Sequence, residues 1–294
     1  MSDNLPIATA PYNALPDHAV LALSGIDACA FAHAQFANDV VALAPGQWQW
    51  NCWLSAKGRV LAVFALLMRK HDELLLIVPD YQGASLPLAL QRFVFRRKVA
   101  VSLRSDLSVS GLFNSVDEGA NAQIAVFGED LLLDLSGAGG PRSLRIGKAA
   151  VDSGEAFSRR WREYDLRHGL ARLPAEQLDR WTPQQLSLDR LHAYSVKKGC
   201  YPGQEIVART HFLGKAKRAL ALFESTSTLT PGENVTVAER NVGELVSTVS
   251  GNQASLALAV LPIDREPGEL QCSGSALQEI SLLPGLGRGV SGSA

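Results

Sequence analysis

The chain reads as an α+β protein whose last part is a small β-barrel. Two patterns predict this. From Ala19 to Leu103 the order is strand, helix, three-strand meander, helix, strand, without the regular βαβ alternation of a doubly wound sheet. After Gly214 the texture changes to short alternating segments separated by turn residues, the spacing of a barrel. Length sets the scale: 294 residues, 47% hydrophobic and 19% charged, supply core material for two domains or three small ones.

Residues 1–16, interrupted by Pro6, Pro11 and Pro16, read as a loose arm. Ala19 to Ser24 is an apolar strand ending at Gly25, and Asp27 is placed to cap a helix through about Asn38. Gln47 to Trp53 alternates polar with apolar, the period of a half-buried strand. Val60 to Met68 and Leu74 to Val78 complete the meander. Ser85 starts a helix with Leu86, Leu90, Phe93 and Val94 on one face, and Arg96-Arg97-Lys98 at its C-terminal end suit the helix dipole. Val99 to Leu103 returns as a strand.

Between residues 114 and 156 the pattern is weak, with strands at Leu131 to Leu135 and Ser143 to Ile146. Trp161 to Leu170 is a short element, and Thr182-Pro183-Gln184-Gln185 reads as a helix start. Barrel strands follow at 219–223, 235–237, 244–249, 255–260 and 280–283, with turns such as Gly251-Asn252 between them. The Gly- and Ser-rich residues 285–294 read as a disordered tail.

The formal charge of −1 offers no global attraction to nucleic acid or anionic membrane, so such contacts would be local patches. Arg92, Arg96, Arg97 and Lys98, interleaved with Phe93 and Phe95, form one such patch; Lys215, Lys217 and Arg218 form another. Cys29, Cys52, Cys200 and Cys272 make no C-x-x-C pair, which fits a reducing compartment and offers no resident metal site. There is no secretory signal pattern, and the longest apolar run is too short to span a bilayer. A cytoplasmic protein without membrane contact is the expectation.

The most informative stretch is Lys197-Lys198-Gly199-Cys200-Tyr201-Pro202-Gly203-Gln204-Glu205-Ile206-Val207-Ala208-Arg209. Two glycines bracket a Tyr-Pro pair, so the backbone turns and presents one thiol. A cation close to a thiol favours the reactive thiolate, and Lys198 is placed in sequence to supply it.

This run resembles the signature of the YgfZ family, folate-binding proteins related in fold to the aminomethyltransferase (T-protein) of glycine cleavage. The likeness extends to Leu23-Ser24-Gly25-Ile26-Asp27, Ser55-Ala56-Lys57-Gly58-Arg59-Val60, Thr182-Pro183-Gln184, Leu188-Asp189 and Gly214-Lys215-Ala216-Lys217-Arg218. It implies an aminomethyltransferase-like ring: residues 1–213 as two interleaved α+β (ferredoxin-like) lobes, one roughly 47–113, closed by a barrel at 214–284. Folate, as tetrahydrofolate or a derivative, is expected at the centre.

The resemblance assigns a folate contact to Trp161 and points to His18 beside it. Tyr201, Gln204 and Glu205 of the signature are further candidate contacts, and Arg59 or Arg209 could pair with the glutamate carboxylates of folate, where a guanidinium binds bidentately. Trp161 matches a family tryptophan, and His18 stands where the family has a second one. Ser187 replaces a frequent Asn, and Arg167 replaces an acidic residue of the T-proteins. Cys200, assisted by Lys198, is expected to act as a redox or transient ligand thiol. Three functions follow. The first is an accessory factor for iron–sulfur cluster assembly or repair, with iron–sulfur proteins or their assembly machinery as partners and an indirect effect on tRNA modification. The second is a tetrahydrofolate-dependent aminomethyltransferase, disfavoured because no Asp or Glu lies between Tyr81 and Ser105, where that enzyme keeps a catalytic acid. The third is direct tRNA binding through the basic patches.

Overall fold

A computed structural model describes residues 11–80, 85–116, 122–148, 151–152, 154–212, 214, 216–251 and 254–289. The expected arm up to residue 10, Tyr81, Lys215, Asn252 and positions 290–294 of the expected tail lie outside them. β1 (Asn13–Ala14) and β2 (His18–Ser24) precede α1 (Ala28–Gln35). β3 (Gln47–Leu54), β4 (Val60–Lys70) and β5 (Glu73–Pro79) form the meander, followed by α2 (Ser85–Gln91) and β6 (Ala100–Leu103). Then come β7 (Ser108–Leu112), β8 (Ile124–Phe127), β9 (Asp130–Asp134), β10 (Ser143–Gly147), α3 (Glu155–Arg167) and α4 (Gln204–Phe212). The final strands are β11 (Arg218–Ser225), β12 (Asn234–Val237), β13 (Arg240–Ser250), β14 (Ser255–Pro262), β15 (Leu270–Cys272), β16 (Ser275–Ala276) and β17 (Gln278–Ile280).

These strands make three antiparallel sheets. One has the order β3-β4-β5-β2-β6, a second β1-β7-β10-β9-β8, and the third, nearly closed, β16-β15-β12-β13-β14-β11-β17. One apolar core joins all three. Trp48 and Trp50 of β3, Leu133 of β9, Leu144 of β10, Trp161 of α3, Leu222 of β11 and Leu258 of β14 belong to it. The opposite face of the first sheet packs Leu21, Phe64 and Leu76 against Phe31 and Ala32 of α1 and Leu90 of α2. That sheet is therefore covered on both faces, which explains why β4 and β5 read as near-continuous apolar runs.

The same burial corrects the reading of β3. Its alternation suggested a half-exposed strand, yet every residue from Trp48 to Leu54 is buried, Gln49 and Asn51 included. Asn51 is retained because its Oδ1 accepts the N–H groups of Asn38 and Cys52, both at 2.9 Å. Asp27 stands at the N-cap position of α1 as expected, but its side chain makes no capping hydrogen bond; its carboxylate accepts the Lys98 N–H at 2.7 Å instead. α2 ends at Gln91, so Phe93, Val94 and the basic run lie in the turns beyond it. α3 begins at Glu155, well before Trp161, and the stretch after Thr182 is turns with a 3₁₀ turn at Leu188–Leu191 rather than an α-helix. β7, β8, β15, β16 and α4 had no sequence signal strong enough to be anticipated.

The tail is the largest correction. Residues 285–289 pack against the protein, with Leu286 only 2% exposed and part of the shared core. Their hydrogen bonds explain it: Trp50 Nε1 donates to the Leu286 carbonyl at 2.9 Å, and Arg288 donates to the Ser136 carbonyl at 2.7 Å.

Candidate functional site

Where the sheets converge lies a cavity of about 20 Å³, lined by His18, Trp50, Leu133, Leu144, Trp161 and Asp165 among others. β2 brings His18 to it, β3 brings Trp50, and α3 brings both Trp161 and Asp165. The last two are four residues apart and so share one helix face. Trp161 is held from two directions. Its ring lies against Gly111, where an added Cβ would fall 2.4 Å from a ring carbon, and the Arg142 guanidinium sits 4.3 Å from the ring centroid.

A buried ion network borders this cavity. Arg142, with no exposed surface, donates to Asp165 Oδ1 at 2.6 Å. Arg172 donates to Asp165 Oδ2 at 3.0 Å, to Asp17 at 2.7 Å, and to both carboxylate oxygens of Asp80 at 2.6 and 2.8 Å. His18 Nδ1 meets the other oxygen of Asp17 at 2.7 Å. Burial pushes the Asp17 carboxyl up, but the His18 hydrogen bond and the charges of His18 and Arg172 outweigh this and hold it well below the carboxylate range. The Ser247 hydroxyl of β13 donates to the Arg172 carbonyl, so the barrel is tied to the same cluster. A second cavity of about 90 Å³, lined by Leu61, Asp80, Leu86 and Leu173 among others, shares Pro79 with the first.

The aromatic walls and the imidazole suit the flat ring of a pterin, while the Asp165 carboxylate, both of whose oxygens are taken by arginines, fixes the cations at the border. Arg142 also keeps two buried guanidinium nitrogens, Nε and Nη2, without partners among the described residues. The void itself is water-sized, so a pterin would enter only as the walls part.

The signature turn is a separate construction. Gly203, at φ +77°, rests on the Ser55–Arg59 turn, where its Cβ would come within 2.5 Å of Gly58 Cα. Tyr201 is buried and donates its hydroxyl to the Ser195 carbonyl at 3.1 Å, while Gln204 Nε2 donates to the Lys198 carbonyl at 3.1 Å. Lys198 points inward. Its ammonium donates to the carbonyls of His33, Phe36 and Asn38 around the end of α1, and burial lowers its pKa to about 8. The cation expected to activate Cys200 is thus engaged inside the fold, because carbonyls in the last turn of α1 and just beyond it need donors.

Cys200 is exposed at the turn, whereas Cys52 and Cys272 are buried and Cys29 is half-buried. It lines neither cavity. Glu205 and Arg209 are exposed on α4. Arg59 donates to the Arg180 carbonyl and to Gln185 Oε1, both at 3.0 Å, and lines neither cavity. Of the residues expected to contact folate, the fold therefore gathers His18 and Trp161 at the centre and leaves the others around the turn. Arg167 pairs with Glu224 of the barrel at 2.9 Å, and the acid that reaches the cavity is Asp165, which sequence reading passed over. Its signal was an acid on the same helical stripe as Trp161. Ser187 adopts φ +49°, a backbone that Asn tolerates well, and its hydroxyl accepts the Leu220 N–H at 3.1 Å.

No family model matches the chain. It is 27% identical over 286 residues to a tRNA-modifying protein YgfZ of Aliivibrio fischeri strain MJ11, covering 89% of this chain and 87% of the relative. A protein of the same description from Colwellia psychrerythraea is 28% identical over 250 residues, covering 78% and 76%. The fold matches the glycine cleavage system aminomethyltransferase T of Bartonella henselae with a TM-score of 0.73 at 15% identity, over 94% of this chain and 87% of that one. Sequence and fold agree: the chain is similar in sequence to proteins described as YgfZ, and its fold is that of the aminomethyltransferase.

Proposed function

We propose that the protein is a folate-binding accessory factor that supports tRNA modification through iron–sulfur enzymes and does not itself transfer a methylene group. The observation that carries this reading is the central cavity, where His18, Trp50, Trp161 and Asp165 converge on the scaffold shared with an aminomethyltransferase. Indole and imidazole rings supply the apolar bulk and a polar edge, the mixture that small-molecule sites use. The relatives' description supplies the link to tRNA. Cys200, the one exposed cysteine, is the group that would meet a partner's cluster, in a reducing cytoplasm where free thiols persist. Among the described residues no helix is long and apolar enough to cross a membrane.

The transferase reading lacks a free acid near α2. No Asp or Glu lies between Tyr81 and Ser105, and both carboxylate oxygens of the preceding Asp80 are bound by Arg172.

Titration with tetrahydrofolate, followed by intrinsic tryptophan fluorescence, tests the proposal. Saturable quenching is expected, weakened about tenfold or more in His18→Ala by loss of one ring wall. Far-UV circular dichroism of the variant checks its fold. Absence of saturable quenching in the unaltered protein would sink the folate reading; steady methylene transfer would restore the enzyme.

A further inference from the structure

The segment after α2 carries chemistry that the central cavity does not use. Arg92, Arg96, Arg97 and Lys98 are all exposed, and none is ion-paired with a described carboxylate. Elsewhere the arginines are mostly matched, as in Arg69–Glu73, Arg104–Asp106, Arg180–Glu244 and Arg265–Glu279. Four unmatched cations within seven positions are a concentrated positive patch on a chain of net charge −1.

The same segment displays Phe95, which is 88% exposed and held at φ +47°. A left-handed backbone is unfavourable for a bulky residue and persists only where the surroundings fix it. Here they do. The Phe93 ring packs edge-on against Trp53 at 6.0 Å, and the Arg97 N–H donates to the Val94 carbonyl at 2.9 Å. Lys98 and Asp27 are clamped both ways, Lys98 N–H to the carboxylate at 2.7 Å and Asp27 N–H to the Lys98 carbonyl at 3.3 Å. The result is a pinned loop with an aromatic tip amid cations.

We propose that this loop is an RNA-contacting surface, with Phe95 stacking on an unpaired base and Arg92, Arg96, Arg97 and Lys98 meeting the flanking phosphates. Every base offers a π face to a displayed ring, and guanidinium groups bind phosphate oxygens bidentately. A lone ring at the tip suits one splayed base. The choice of tRNA as the RNA rests on the function proposed above; the surface itself does not.

The test is fluorescence anisotropy of the full chain with an unmodified tRNA transcript and with a perfect duplex RNA. The transcript is expected to bind, and with four phosphate contacts its affinity should fall roughly 50-fold between about 50 and 200 mM salt. Arg96→Glu with Arg97→Glu should weaken both RNAs at least about tenfold. Phe95→Asn, which suits the left-handed backbone and so preserves the loop, should weaken the transcript about tenfold and leave the duplex unchanged. No binding at low salt, an unaltered transcript affinity in either variant, or tighter binding to anionic phospholipid vesicles than to the transcript overturns the proposal. Tetrahydrofolate quenching measured on the same samples separates the two readings: its absence alongside intact RNA binding removes the folate reading only.

Discussion

Gly203 stands directly on Gly58. A Cβ at 203 would lie 2.5 Å from Gly58 Cα and 2.6 Å from the Ser55 carbonyl oxygen, and a Cβ at 58 would meet Ile206 at 2.8 Å. Both residues have positive φ, +68° at 58 and +77° at 203. Two stretches far apart in sequence, each noticed separately as a motif, are thus halves of one contact. Gly203→Ala must move backbone against backbone and is expected to cost about 1–3 kcal/mol or more. Urea unfolding checks this, and a loss below a few tenths would show that the turn yields easily.

Lys198 and Cys200 part company in the same turn. The ammonium serves the His33, Phe36 and Asn38 carbonyls, and the thiol faces solvent. Lys198→Met should therefore lower stability by roughly 1–3 kcal/mol per buried carbonyl left unpaired. The alkylation rate of Cys200 by iodoacetamide should stay within about twofold of the unaltered protein from neutral to alkaline pH. A large fall in that rate would restore the activating role that the sequence spacing suggested.

Asp17 gives the fold an acid sensitivity whose sign is fixed. Its folded pKa lies below the ordinary 3.8. A depressed carboxyl contributes its stability in full above the unfolded value and loses it as pH falls through the folded one. Acidification below about pH 4 should weaken the Arg172 cluster. Asp17→Asn is expected to cost about 1–3 kcal/mol at neutral pH and to flatten the acid limb of stability measured by urea unfolding. An acid limb as steep in the variant as in the parent would place the sensitivity elsewhere.

Particular residues show what was legible in advance. β4 and β5 announced themselves because both faces of their sheet are covered, leaving unbroken apolar runs. α2 was overrun because Phe93 and Val94 continue the helical spacing while the chain has already turned. The Arg172 cluster had little local signature, since Asp165 is near in sequence but Asp80 and Asp17 lie 92 and 155 positions away. His18 and Trp161 were placed by likeness to a family, and the fold then set them on one cavity. The tail misled because glycine and serine dominate its composition while the informative residues are only two, Leu286 and Arg288.

Those two residues make the C-terminal segment part of the core. Leu286 is buried beside Trp50, whose Nε1 donates to its carbonyl, and Arg288 reaches the Asp134 carboxylate at 3.2 Å and the Ser136 carbonyl at 2.7 Å. Leu286→Ala removes most of a buried core side chain, and should cost about 2–5 kcal/mol. Ending the chain at Leu283 should do more. It strips the acceptor from the Trp50 indole, opens the core face of β3 to water, and leaves Asp134 without its cation. Tryptophan emission should then shift to longer wavelength and the urea midpoint should fall. A disordered tail predicts neither change, so identical emission spectra and midpoints for the full and shortened chains would show that the segment does not hold its place in solution.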